Sequence, residues 1–183
     1  MPKHIAISLA LLLMSVAGFA QTSGNVFIGY SFNHASTGYS DKGNLNGWVL
    51  SGEVKATPHL GFVADFGTTY GTLQIPSARI FGGPGTVDST TRVESFVFGP
   101  RVSVQVGKFR PFANALLGVG HLHEDALDYA YGETCLADVV GGGVDYRIIP
   151  LLAWRVQGDL LQTRFHGGRQ EDARVSTGLA LTF

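Results

Sequence analysis

Apolar and polar residues alternate along most of this chain, and the three-to-four spacing of an amphipathic helix is nearly absent. Successive side chains of a strand point to opposite faces, so each alternating run predicts a strand with one apolar wall. Runs bounded by Gly, Pro, Asn and Asp predict strands over residues 25–33, 46–56, 60–70, 93–106, 111–120, 137–148, 152–163 and 173–183. The connections alternate in length. Residues 34–45, 71–92, 121–136 and 164–172 form long polar connections, whereas 57–59, 107–110 and 149–151 are short. An even set of about eight strands, with short turns on one side and long loops on the other, predicts an all-β, up-and-down antiparallel transmembrane barrel.

The polarity of the two faces decides which one lines the barrel. Trp48, Leu50 and Val54 share a face opposite Ser51, Glu53 and Lys55. Phe62, Ala64 and Phe66 stand opposite Gly61, Asp65 and Gly67. Phe96, Phe98, Val102 and Val104 oppose Gly99, Arg101, Ser103 and Gln105. Val140, Val144 and Tyr146 oppose Gly143, Asp145 and Arg147, and Trp154, Val156 and Leu160 oppose Arg155, Gln157 and Asp159. The charges always lie with the small residues. Turning Arg101, Arg155 or Arg174 toward hydrocarbon would cost about 2–4 kcal/mol each near the midplane. The expected register therefore puts the apolar residues toward lipid and Gly, Ser and paired charges inside, where eight strands leave room only for side chains.

The inward charges form the candidate site, a structural network of Glu53, Asp65, Arg101, Asp145, Arg155, Asp159 and Arg174. A turn centred on Pro150 makes Asp145 and Arg155 cross-strand neighbours, and Asp159 falls near Arg174. Lys55 and Arg147 lie closer to the wet rim. Aromatic residues cluster at both strand ends: Phe32, Trp48, Phe66, Tyr70 and Phe96 at one, and Phe62, Tyr146, Trp154 and Phe183 at the other. Such belts are expected where headgroups meet water.

The termini refine the picture. Lys3 precedes an apolar stretch over 5–16, and Gly18-Phe19-Ala20 offers small residues before Gln21. This reads as a cleavable signal peptide over residues 1–20, with 21–183 as the barrel domain. The final segment alternates Val175, Thr177, Leu179, Leu181 and Phe183 with Arg174, Ser176, Gly178, Ala180 and Thr182. With 15% charged residues and a formal net charge of −1, the composition opposes nucleic acid as a partner. Cys135 is the single cysteine, so no intramolecular disulfide can form. It reads as an inert loop thiol, with an intermolecular bridge as the lesser alternative.

The chain resembles the small OmpA-type outer-membrane β-barrel superfamily. The carrying runs are Val97-Phe98-Gly99-Pro100-Arg101, Gly141-Gly142-Gly143-Val144-Asp145, Arg155-Val156-Gln157-Gly158-Asp159 and the ending from Arg174 to Phe183. Where that family has Gln-Asn-Asn before its last strand, this chain has Gln170-Glu171-Asp172. The resemblance implies outer-membrane lipids as surroundings and Phe183 as a C-terminal signal for the barrel-assembly machinery. It does not imply cell-wall anchoring, since the peptidoglycan-binding domain of the larger relatives is not seen.

Candidate chemistry is sparse. His121-Leu122-His123-Glu124-Asp125 is the one metal-like cluster, and its generic spacing favours a solvated loop. Gly82-Gly83-Pro84-Gly85 is too broken by proline for a phosphate loop and reads as a mobile loop tip. His34 near Ser36, and His166, are the loose candidates for a hydrolase, and no acid stands at a matching strand spacing. The expectation is a monomeric, non-enzymatic envelope barrel without cofactor or metal, exported to the outer membrane, with a structural or surface-interaction role and four extracellular loops. Two alternatives are kept: a soluble lipocalin-like binder of a hydrophobic ligand, and a lipid-A-modifying barrel enzyme.

Overall fold

A computed structural model describes residues 23–36, 42–76, 86–126, 129–163 and 170–183. Eight strands follow one another: β1 (Gly24–Ser36), β2 (Lys42–Lys55), β3 (Leu60–Pro76), β4 (Thr86–Ser103), β5 (Phe109–Ala126), β6 (Tyr129–Ile149), β7 (Leu152–Thr163) and β8 (Gln170–Thr182). Each pairs antiparallel with the next. β8 closes on β1, in a ladder running from Asn25↔Thr182 to His34↔Ala173. Closure leaves no open sheet edge, so every strand has hydrogen-bonding partners on both sides.

The strands outrun the expected ones at the long-connection end. Residues 121–126 and 129–136 are strand, not loop: the β5–β6 ladder continues through Glu124↔Tyr131 to Ala126↔Tyr129. The β3–β4 hairpin likewise extends to Pro76↔Thr86, well inside the expected 71–92 connection. Hydrophobic alternation marks only the stretch where one face is apolar, whereas ladder hydrogen bonds need no apolar face. The pattern therefore stopped before the strands did.

At the other end β5 starts earlier than expected, at Phe109, and β4 stops sooner. β4 ends at Ser103, and Gln105 does not face inward as expected. It is exposed, and its amide donates to the carbonyls of Gly107 (2.7 Å) and Phe109 (3.3 Å). Val106 and Phe109 exchange backbone hydrogen bonds across Gly107 and Lys108. Gly107 takes φ of 60°, the left-handed region such two-residue hairpins demand. The expected signal segment 1–20 and the 82–85 loop tip lie outside the described residues.

The outer wall is apolar. Ile28, Phe62, Phe98, Leu117, Val140, Leu160 and Leu179, drawn from seven strands, project outward with exposures from 46% to 66%. The interior is richer in apolar residues than the parity reading implied. Besides polar side chains it holds Phe27, Val49, Ala153 and Ala180; Val63, Val97, Leu116, Ala137, Val139 and Leu161; and Leu45, Val93 and Leu122. Strand β5 explains the difference. Phe112, Leu116 and Leu122 point in while Leu117 and Val119 point out, so both of its faces are apolar and parity alone does not separate them.

Candidate functional site: the interior charge network

The seven residues expected inside are all buried, between 0% and 4% exposed. They fall into two groups, fixed by strand register.

The first group lies near the short turns. The tight connection after Ile149 aligns Asp145 opposite Arg155. Arg155 Nε donates to Asp145 Oδ1 at 2.6 Å, and Arg155 Nη2 donates to Oδ2 at 3.0 Å. This is the two-pronged geometry that suits guanidinium and carboxylate. Arg155 Nη2 also donates to Asn25 Oδ1 at 2.9 Å, and Asn25 Nδ2 donates to Glu53 Oε2 at 2.6 Å. Glu53 Oε2 further receives Arg101 Nη1 at 3.3 Å. The guanidinium carbons of Arg101 and Arg155 lie 4.2 and 4.9 Å from the centre of the Phe112 ring. The phenyl ring thus offers its negative face to two cations at once.

Arg110 completes this group, although sequence reading had assigned it to a short turn. It is the second residue of β5 and is 7% exposed. Its Nε and Nη2 donate to Asp145 Oδ2 at 3.1 and 2.8 Å, and Nη2 reaches Glu53 Oε2 at 3.5 Å. Asn25 was also missed. Both share parity with inward neighbours, Arg110 with Phe112 and Asn114, and Asn25 with Phe27 and Ser31. That parity was the available signal. The mixed polarity of β5 obscured it for Arg110, and an uncharged amide drew no notice at Asn25.

The second group sits deeper toward the long connections. Asp159 pairs with Arg174 in the β7–β8 ladder. Arg174 Nε and Nη2 donate to Asp159 Oδ2 at 3.1 and 2.9 Å, and Gln157 Nε2 donates to the same oxygen at 2.9 Å. Arg174 Nη1 stands 3.1 Å from Asp65 Oδ1 as an ion pair that lacks hydrogen-bond alignment. One guanidinium therefore separates two carboxylates.

Glycines make room for these charges. A Cβ at Gly67 would lie 2.9 Å from Arg174 Nη1, and one at Gly61 would lie 2.8 Å from Glu53 Oε1. At Gly141 it would overlap Asp159 Oδ1 and lie 2.6 Å from the carbonyl oxygen of Gly158. Backbone cannot yield as a side-chain tip can. Gly141→Val is expected to lower stability by about 1–3 kcal/mol, the usual cost of overfilling a packed interior. The urea unfolding midpoint of the refolded barrel is the measurement.

The other singled-out residues lie elsewhere. His121 and His123 belong to β5 rather than to a loop, and His121 Nδ1 is 2.8 Å from Thr134 Oγ1 on β6. Among the described residues no group of three or more His, Cys, Asp and Glu is placed to hold a metal ion. His34 Nδ1 is 2.8 Å from Asn44 Oδ1. The side chain of Ser36 and all of His166 lie outside the described residues. Phe183 exchanges backbone hydrogen bonds with Gly24, at 2.9 and 3.1 Å, and its ring is exposed.

No family model matches the chain, and no curated protein is similar to it in sequence. Solved structures do match. Neisserial surface protein A covers 88% of this chain and 97% of its own, with TM-score 0.64 and 12% identity. Ail, the attachment invasion locus protein of Yersinia pestis, covers 88% and 99%, with TM-score 0.62 and 15% identity, in a complex with the heparin analogue sucrose octasulfate. The outer membrane protein OprG of Pseudomonas aeruginosa covers 88% and 96%, with TM-score 0.55 and 10% identity. At such identities the likeness is one of architecture, and the chain shares with these proteins the fold of a closed eight-stranded antiparallel barrel.

Proposed function

We propose that this chain is an integral outer-membrane barrel. Its interior is closed by its own charge network, and its role is played by the hairpins that rise from the long-connection end. The apolar outer wall carries this reading. Large aliphatic and aromatic side chains from every strand face outward while Arg101, Arg155 and Arg174 face inward. In water such a wall would exceed any patch a soluble monomer tolerates. In a bilayer it is the surface that solvates the protein. The fold shared with bacterial outer-membrane barrels supports the same placement.

A lipocalin-like binder needs the reverse arrangement, an apolar ligand chamber within a polar exterior. The buried ion pairs occupy the space such a ligand would need. A lipid-A-modifying enzyme would show itself by an altered lipid A mass on expression, and substitution of His34 or His166 would then abolish the change. Steady transport is disfavoured, because an eight-stranded interior filled by side chains leaves little aqueous path.

Ail was solved with a sulfated polyanion, and the fold alone does not bring that ligand here. The four long connections of this chain hold five basic residues (Lys42, Arg79, Arg92, Arg164, Arg169) and eight acidic ones. The acids are Asp41, Asp88, Glu124, Asp125, Asp128, Glu133, Glu171 and Asp172. Asp172 is buried, and without it the sequence balance of these connections is still net negative, which disfavours polyanions, so we assign them partners that carry cationic or uncharged surfaces.

The test is expression of the full chain in a Gram-negative host, followed by envelope fractionation. The expected result is a band in the outer-membrane fraction whose gel mobility changes on boiling. Recovery as a detergent-free periplasmic protein would reject the proposal and favour the soluble binder.

A further inference from the structure

The short-turn end carries the opposite charge. Among the described residues it gathers Lys55, Arg101, Lys108, Arg110, Arg147 and Arg155. Against them stand the side chains of Glu53 and Asp145. Both side-chain carboxylates are already engaged. Asp145 takes Arg110 at 2.8 Å and Arg155 at 2.6 Å, and Glu53 takes Asn25 at 2.6 Å and Arg101 at 3.3 Å. The positive surplus is left at the mouth.

A cavity of about 80 Å³ opens there, with Lys108, Arg110, Asp145, Arg147 and Thr182 in its lining. On its outer lip the backbone at Lys108 is fixed and the Arg147 guanidinium is anchored, while the Lys108 side chain is exposed. The Arg147 N–H donates to the Lys108 carbonyl at 2.8 Å, and Arg147 Nη2 donates to the Gly107 carbonyl at 3.1 Å. The β4–β5 turn is thereby tied to β6, so Lys108 and Arg147 sit on one lip. The Arg110 guanidinium beside them is buried and already oriented by Asp145.

We propose that this mouth is a binding site for a phosphate group. A tetrahedral anion offers several acceptor oxygens to guanidinium and ammonium donors arriving from different directions. Partial enclosure lowers the local dielectric and strengthens each contact relative to open water. The phosphate has two possible sources, free inorganic phosphate or the headgroup of a phospholipid in the facing leaflet. Only the second source rests on the outer-membrane reading.

The test uses the refolded full barrel in maltoside micelles, whose headgroups carry no phosphate. Amide NMR spectra are followed during titration with inorganic phosphate, and separately with short-chain phosphatidylglycerol. Sodium chloride at matched ionic strength is the control. Saturable shifts are expected at the amides of Gly107, Lys108, Arg147 and Thr182. In Lys108→Gln/Arg147→Gln, which alters two exposed side chains, the half-saturation concentration should rise at least tenfold. Lys108→Arg should retain binding. The single variant Lys108→Gln gives the same reading at smaller size if the double variant does not fold. Saturation by phosphate alone identifies the free ion, and saturation only by the lipid identifies the headgroup. Shifts that fail to saturate, that sodium chloride reproduces, or that survive both substitutions overturn the proposal, whether or not the barrel resides in the outer membrane.

Discussion

Arg155→Ala is expected to lower the stability of the folded barrel by about 3–5 kcal/mol, the usual cost of leaving a buried ion without its partner. Arg155 is fully buried and donates to both oxygens of Asp145 and to Asn25. Its removal leaves Asp145 with Arg110 alone and deprives Asn25 Oδ1 of its donor. The measurement is equilibrium unfolding in urea, followed by tryptophan fluorescence in lipid vesicles. Two comparisons isolate the cause. Arg147→Ala, at an exposed position on the next strand, should change stability by less than about 0.5 kcal/mol. Arg101→Met should cost less than Arg155→Ala. Arg101 has one hydrogen bond to Glu53, at 3.3 Å, and its Nε and Nη2 make no hydrogen bond. Equal losses at Arg155 and Arg147 would mean that the network contributes nothing specific.

Arg174→Met should be comparably costly, about 3–5 kcal/mol, for a different reason. Arg174 is the cation between Asp65 and Asp159. Without it two buried carboxylates face each other across the space the guanidinium filled, and their repulsion adds to the lost ion pairs. Neutralising the acids should therefore recover stability. Asp65→Asn/Asp159→Asn in the Arg174→Met background should regain most of the loss, since an uncharged set of similar volume is often no less stable than the ion pairs it replaces. The same two substitutions alone would strand Arg174 and should destabilise. A triple variant no more stable than Arg174→Met would show that packing at this position, rather than charge, is what matters.

How much of this could be read from residues alone differs from element to element. The β7 boundaries, Leu152–Thr163, agree with expectation because apolar and polar residues alternate from Trp154 to Gln157 and the turn at Pro150 marks the start. The Asp145–Arg155 and Asp159–Arg174 pairs were legible for a related reason. Antiparallel register follows from turn position: Pro150 marks the turn that aligns the first pair, and the second pair flanks the 164–172 connection. The hairpin extensions of β3 to β6 were not legible, since they continue as hydrogen-bonded ladder after the apolar pattern has ended. Arg110 was hidden next to a glycine turn on a strand with two apolar faces.

The order of polarity along the chain determined by itself the class of fold, the strand count and, on strands with a single apolar face, the face that turns inward. Each of these depends on side-chain alternation and local turns, which are properties of neighbouring residues. Tertiary structure alone decided which charges share a partner. Glu53 meets Arg101 and Arg110 from other strands, Arg155 meets Asn25 across the closing seam, and Arg174 meets Asp65 from across the barrel. It also decided that clusters of apolar side chains share the interior with the charges. The physical reason is closure. Only when β8 pairs with β1 do residues distant in sequence face one another across a narrow interior, and only then does each buried charge acquire its partners.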